Sequence, residues 1–274
     1  MNMRRFFRAR WLLLLPPVLF GLAYVDQAQT RAPGNWREAS REPIGLAPAA
    51  AVTPEGVIQV YAARAVRWRG YFGVHTWIAA KRRGADEYTV YEVTGWRLRR
   101  GNSAVSISHR PPDSRWYGAA PELIADVRGD GVDAMIERLE AAIDDYPYAG
   151  TYRVWPGPNS NTFTAFVLRS VPELAADLPP TAIGKDYLGS TLLAKTPSGT
   201  GLQLSLFGVL GLMAAREEGL ELNLLGLTFG FDPTELAIKL PIAGRFGLLA
   251  RSRQSQPAPR LSPDIYQSNN QPGD

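Results

Sequence analysis

The stretch "WPGPNSNTFTAF" (155–166) decides how the chain is read, because a proline- and glycine-rich segment passes there into apolar residues at helical spacing. Phe163, Phe166 and Val167 share one helical face, and Pro172 follows soon after. Asn159, Ser160 and Asn161 stand where such a helix begins. Side-chain oxygens at that place cap unpaired backbone N–H groups. The same place puts a hydroxyl at the positive end of a helix, where N–H groups stabilise developing negative charge. Ser160 therefore has two readings, cap or nucleophile. Asn159 and Asn161 are the candidate oxyanion or substrate-binding residues beside it.

Working outward, the flanking sequence sets the fold class. Towards the N-terminus, "VIQVYAARAV" (57–66) and "YFGVHTWIAAK" (71–81) alternate as strands do. The second puts His75 and Trp77 on one face, with Thr76 and Ile78 on the other. After a turn at Arg83-Gly84, "EYTVYEVTGW" (87–96) continues the pattern with Val90, Glu92 and Thr94 together, and "SAVSIS" (103–108) offers a third strand. The period then changes. Ile136, Leu139, Ile143 and Tyr146 fall at helical spacing, Asp130 or Asp133 is placed to cap the start, and Pro147 ends the run. Towards the C-terminus, Leu202, Leu204 and Leu206 alternate with polar residues, as do Leu220, Leu222 and Leu224 beyond the turn "REEG" (216–219). Strands, helices and strands again predict an α+β domain with an antiparallel sheet and an apolar C-terminal β-hairpin.

The ends of the chain carry a different message. Arg4, Arg5, Arg8 and Arg10 account for the whole formal net charge of +4, leaving the remainder neutral and no basic surface for nucleic acid. They precede "WLLLLPPVLFGLAYV" (11–25), an uncharged run of 15 residues, short of the roughly 20 that span a bilayer and interrupted by two prolines. Basic flank and apolar run have the layout of a signal peptide or an anchor. The expected organisation is a signal peptide or membrane anchor at 1–28, a linker at 29–55, and one domain at 56–250. Within that domain the core is 56–195 and the apolar hairpin region 196–250, with a disordered tail at 251–274. The expected location is the inner membrane, with the bulk facing the periplasm.

Chemistry is bounded by what is missing. The chain of 274 residues has no cysteine and only His75 and His109, which excludes disulfides, thiolate nucleophiles and histidine-rich metal sites. No metal or cofactor is expected. Asp126, Asp130, Gly131 and Glu137 have calcium-loop spacing, but Arg128 occupies a ligand position and opposes a cation. His75 is costly on an apolar strand unless it has a partner. Glu92, on the neighbouring strand, would orient the ring and stabilise imidazolium, as the third member of a catalytic triad does. His75, Ser160 and Glu92 are thus the candidate catalytic residues. The tryptophans at 68, 77, 96, 116 and 155 are expected in the core, with a ligand groove as the alternative.

Two resemblances follow from these residues. "GPNSNTF" resembles the Asn-Cys-x-His/Thr-Phe motif that opens the nucleophile helix in circularly permuted papain-like proteins of the lecithin retinol acyltransferase type. There a histidine on an early strand precedes the nucleophile in the chain, the order of "GVHTW" and "NSNTF" here. The resemblance implies a permuted papain-like fold with His75 as general base and Ser160 at the nucleophile position, where those proteins have cysteine. A hydroxyl is far less acidic than a thiol and needs stronger activation by its base. The strings "GVHTWIA", "YEVTGWR", "WPGPNSNTF" and "LPPTAIGKDY" are similar to an uncharacterised bacterial family, domain of unknown function 3750, over most of residues 57–190. That resemblance implies a bacterial envelope protein and no particular activity.

Three functions are compatible with the sequence. The favoured one is a membrane-associated, non-catalytic or cryptic papain-like domain that binds a peptide, glycan or lipid. The second is a Ser/His hydrolase or acyltransferase acting on an envelope amide or ester, and the third a structural membrane-associated protein. The expected partners are the inner membrane and such an envelope ligand.

Overall fold

The computed structural model describes residues 37–248, together with Gly21 and the backbone of Gln256–Pro257. Residues 37–248 form an α+β structure of two sheets and two α-helices. The first sheet contains β1 (Val57–Arg64), β2 (Val74–Lys81), β3 (Thr89–Val93), β4 (Val105–His109) and β5 (Glu122–Arg128). Their order is β5-β1-β2-β3-β4, all antiparallel, and the two-residue β13 (Gln256–Pro257) adds parallel to β5. β1 lies inside this sheet and is buried on both faces except at Arg64, so it reads as a nearly continuous apolar run. Helices α1 (Val132–Asp144) and α2 (Ser160–Leu168) cover one face. Ile58, Val60, Ile78, Tyr91 and Val93 meet Met135, Ile136, Leu139, Phe163 and Val167 there.

The opposite face carries Tyr61, Trp77, Ala79 and Val90, and loops cover it. Part of that cover is the segment expected as a linker. Ala39 is buried, the Leu46 N–H donates to Asp113 at 2.6 Å, and Tyr88 donates to the Pro48 carbonyl at 3.0 Å. Its proline-rich composition reflects irregular backbone packed on a sheet. The cap of α1 also differs from expectation. Gly131, at φ 86°, is the N-cap, while Asp133 accepts from the Arg83 N–H and Asp130 pairs with the Arg83 side chain. Asp126 lies on β5, held by Arg128 at 2.6 Å, so the calcium-like spacing spans a strand and a turn.

The C-terminal region is a larger structure than the expected hairpin. It is a seven-stranded antiparallel meander of β6 (Leu193–Lys195), β7 (Gly201–Leu206), β8 (Leu210–Ala215), β9 (Gly219–Leu224), β10 (Leu227–Asp232), β11 (Ala237–Leu240) and β12 (Gly244–Gly247). The two leucine runs are not partners, because β8 lies between them and "REEG" joins β8 to β9. "LGLMAA" hides this strand, since Gly211 and Met213 face inward and leave no polar alternation to see. Polar residues point inward elsewhere in this sheet, and the leucines point out. Lys185 bonds Glu221 at 2.5 Å, while Lys239 bonds Glu221 at 2.7 Å and Asp177 at 2.8 Å. Asp186 accepts from Gln203 and Asn223, each at 2.9 Å. These groups are almost wholly buried and join the meander to the rest of the molecule. Burial pulls the Lys185 ammonium down, but the neighbouring Glu221, Asp186 and Asp177 carboxylates outweigh it and raise its pKa.

Among the described residues, no helix is long and apolar enough to cross a membrane. The expected N-terminal membrane segment (1–28) lies outside the described residues apart from Gly21, and so does the tail at 251–274 apart from that two-residue strand.

Candidate functional site

The start of α2 is locked by its own sequence. Asn159 is the N-cap, with its side-chain oxygen accepting from the N–H groups of Asn161 and Thr162, and Thr162 Oγ1 accepting from the Asn159 N–H. The segment "WPGP" before it has cis peptide bonds at Trp155-Pro156 and Gly157-Pro158. Gly157, at φ 137°, also leaves no room for a side chain, since a Cβ there would come within 2.9 Å of Tyr187. The helix start then clasps the loop 183–185. Asn159 Nδ2 and Asn161 Nδ2 both donate to the Ile183 carbonyl, and Thr162 donates to the Gly184 carbonyl at 2.7 Å. Thr76 of β2 reaches across to Asn161 and Thr164 at 3.0 and 2.9 Å, fixing the helix start to the strand that carries His75.

These bonds change the role of the two asparagines. Each Nδ2 has two protons, and both are committed, to Val154 and Ile183 carbonyls for Asn159 and to Val74 and Ile183 carbonyls for Asn161. Neither side chain has a donor left for a ligand, although both residues line the cleft. Ser160 differs. It is only 3% exposed and borders the cleft, yet neither its hydroxyl nor its backbone N–H bonds any described residue.

His75 lies near the start of β2 and borders the same cleft. The register pairs Ile78 with Tyr91 and Ala79 with Val90; continued, it places Glu92 beside Trp77 and diagonal to His75 on one face. The structure closes that diagonal, with His75 Nε2 to Glu92 Oε2 at 2.8 Å and both side chains buried. Arg110 supports the other Glu92 oxygen at 3.5 Å. Burial pushes the Glu92 carboxyl up, but the hydrogen bond and charge of His75, with Arg110, outweigh it and hold its pKa below the ordinary value. An ionised Glu92 makes Nε2 the protonated nitrogen and leaves Nδ1 as an acceptor. Nδ1 has no hydrogen bond among the described residues. Trp116 stacks on the imidazole with ring centroids 3.7 Å apart, fixing its plane.

The cleft has a volume of about 640 Å³ and an aromatic lining. Trp68, Trp96 and Trp155 are about half exposed at its rim, and Trp116 borders it. Of the five tryptophans expected in the core, only Trp77 is fully buried. Arg69 and Arg99 also line the cleft, whereas no carboxylate among the described residues does. The sequence reading passed over three participants. Arg110 carried no signal, and Trp116 was grouped with the core tryptophans. Thr94, whose buried hydroxyl has no partner among the described residues, was visible only as a residue on the Glu92 face. No group of acidic or histidine residues among those described is arranged to hold a metal ion.

Neither the curated proteins nor the solved structures contain a match to this chain. A family model does match, and its span runs from the residues just before β1 to the loop clasped beneath α2, taking in His75, Glu92 and Ser160 while ending before the meander begins. Residues 55–187 match the model of the family described as Protein of unknown function (DUF3750).

Proposed function

We propose that the cleft is the active site of a serine hydrolase or acyltransferase acting on an ester or amide, in a permuted papain-like domain. The observation that carries this reading is the buried His75–Glu92 pair, with Nδ1 unbonded among the described residues, at a cleft that both His75 and Ser160 line. Ser160 Oγ attacks the substrate carbonyl carbon and passes its proton to His75 Nδ1. Glu92, accepting from Nε2–H, stabilises the imidazolium. The Ser160 N–H, at the positive end of α2, donates to the oxyanion. His75 then returns the proton to the leaving alcohol or amine, and water or a second acyl acceptor releases the acyl group from Ser160. The aromatic lining suits an apolar acyl or ring-bearing substrate.

A fluorophosphonate probe tests the chemistry directly, since it phosphonylates a serine only when a base activates it. Mapping the label to Ser160, and losing it in both Ser160→Ala and His75→Ala, is the expected result. A folded wild-type protein that leaves Ser160 unlabelled sinks the catalytic reading.

One observation favours the second reading, a cleft that binds without reacting. With the Asn159 and Asn161 donors committed and the Asn161 N–H held by its own cap, the helix start offers one oxyanion donor rather than two. In that case Ser160→Ala retains ligands as the wild type does, and no turnover is found. An envelope location at the inner membrane, with a peptide, glycan or lipid as ligand, is proposed with either reading, on the basic and apolar N-terminal sequence.

A further inference from the structure

The outer face of the meander is built against the usual rule. Its cross-strand ladders run Leu193–Leu204–Leu212–Leu222–Phe229 and Leu202–Ala214–Leu220–Phe231–Ile238–Phe246. Most of these side chains are about half exposed, and among the described residues the only charge on the face is Lys195, at one edge. With strands about 4.8 Å apart and about 3.3 Å per residue, the face covers roughly 500 Å² in projection, and its accessible area is larger still. Soluble monomers seldom expose more than about 300–600 Å² in one apolar patch.

The two ends of the sheet say what covers it. At one end the turns are Phe207-Gly208-Val209, Leu225-Gly226 and Pro241-Ile242-Ala243, without a charge or a polar side chain. At the other they carry Arg216, Glu217, Glu218 and Glu235. Several backbone groups of the apolar turns are bonded within the protein. Gly208 N–H donates to Ser205 Oγ, Val209 N–H to the Leu206 carbonyl, and Gly226 N–H to Asn223 Oδ1. The Leu225, Gly208 and Ile242 carbonyls accept from Trp155, Asn223 and Arg64. Turns in water need no such care, whereas polar backbone groups in lipid must find partners within the protein. A second copy packed face to face would cover the leucines but leave these turn tips in solvent.

We infer that the outer face of the meander, with its uncharged turns leading, seats in one leaflet of a phospholipid bilayer without spanning it. The charged turns remain at the headgroup level or in water. Trp155 links this end to the cleft, bordering the cleft while donating to the Leu225 carbonyl at 2.8 Å. If the proposed hydrolase is correct, a lipid ester is then the substrate class closest to the cleft mouth; the docking itself needs no chemistry at Ser160.

The absence of cysteine makes the test clean. Full-length Ser160→Ala protein carrying Leu222→Cys, Leu225→Cys or Arg216→Cys is labelled with bimane. It is then mixed with phosphatidylcholine–phosphatidylglycerol vesicles whose acyl chains are brominated. Labels at 222 and 225 are expected to be quenched, with the label at 216 unaffected, and adding Leu204→Lys and Leu212→Glu should remove most of the quenching at 225. The inference is overturned if the protein binds vesicles while labels at 222 and 225 stay in water. It is also overturned if those labels are already shielded without lipid, whether sedimentation then shows a dimer or a monomer covered by its own chain. Because Ser160 is absent from every variant, failure of docking and failure of the catalytic reading are separate results.

Discussion

The two sheets bury opposite kinds of residue. The first follows the common rule, placing Ile58, Val60, Ile78 and Val93 beneath two helices. The second buries Lys185, Glu221, Lys239 and Asp186 and turns its leucines outward. Both patterns have the same period of two, so what differs is the surroundings that each strand face must match. An apolar face is a core only if something covers it. A polar face can be an interior if every charge finds a partner, as Lys239 does with Asp177, Glu221 and the Glu218 carbonyl.

The largest expected effect breaks that comparison at neighbouring residues. Glu221→Leu leaves Lys185 and Lys239 buried without their shared carboxylate and should cost about 3–5 kcal/mol. Adjacent Leu222→Ser, on the outer face, should change stability by no more than about 0.5 kcal/mol in the absence of lipid. Urea unfolding of the two variants measures both. If Leu222→Ser proves the more damaging, the assignment of inside and outside is wrong.

Gly184→Ala comes next, and it probes the join between the sheets. At φ 96° a Cβ would sit 2.4 Å from the Asn159 amide, so a loss of about 1–3 kcal/mol is expected, with loosening of the helix start that carries Ser160. Thermal unfolding together with fluorophosphonate labelling separates the two consequences.

The smallest effect concerns the first sheet's own buried charge. Glu92 has a folded-state pKa below the ordinary 4.5, so its ionised form contributes stability above that value. The contribution is lost as pH falls through the depressed folded value. Wild type should therefore exceed Glu92→Gln in stability at pH 7, and the gap should narrow below about pH 4. Urea midpoints across that range would reveal a constant gap if Glu92 were unpaired in the folded protein.

Much of the first sheet was legible because its residues obey local rules. The alternation in "GVHTWIAAK" placed His75 and Trp77 on one face, and "NSNTF" announced a helix start that the capping box then formed. "ELIADVR" (β5) is hard to see as a strand because Glu122, Asp126 and Arg128 interrupt its apolar residues, and Asp126 also fits the calcium-like spacing, whereas in the fold it is paired by Arg128. The aromatic rim was misjudged for another reason. A tryptophan's sequence neighbours do not say whether the surface opposite will be filled, and at Trp68, Trp96 and Trp155 it is left open as a cleft.

The sequence by itself determined which residues alternate, where α2 begins, and that no thiol or histidine cluster is available for chemistry, since these depend on composition and on contacts between near neighbours in the chain. Only the tertiary structure decided which face of each strand is inside. It placed Glu92 against His75 across two strands, and it committed the asparagine amide donors of the helix start to the carbonyls of Val74, Val154 and Ile183. Those outcomes depend on groups up to 87 positions apart along the chain competing for the same partners. Hydrogen-bonding capacity is written into each residue, whereas its use is settled by the residues folded beside it.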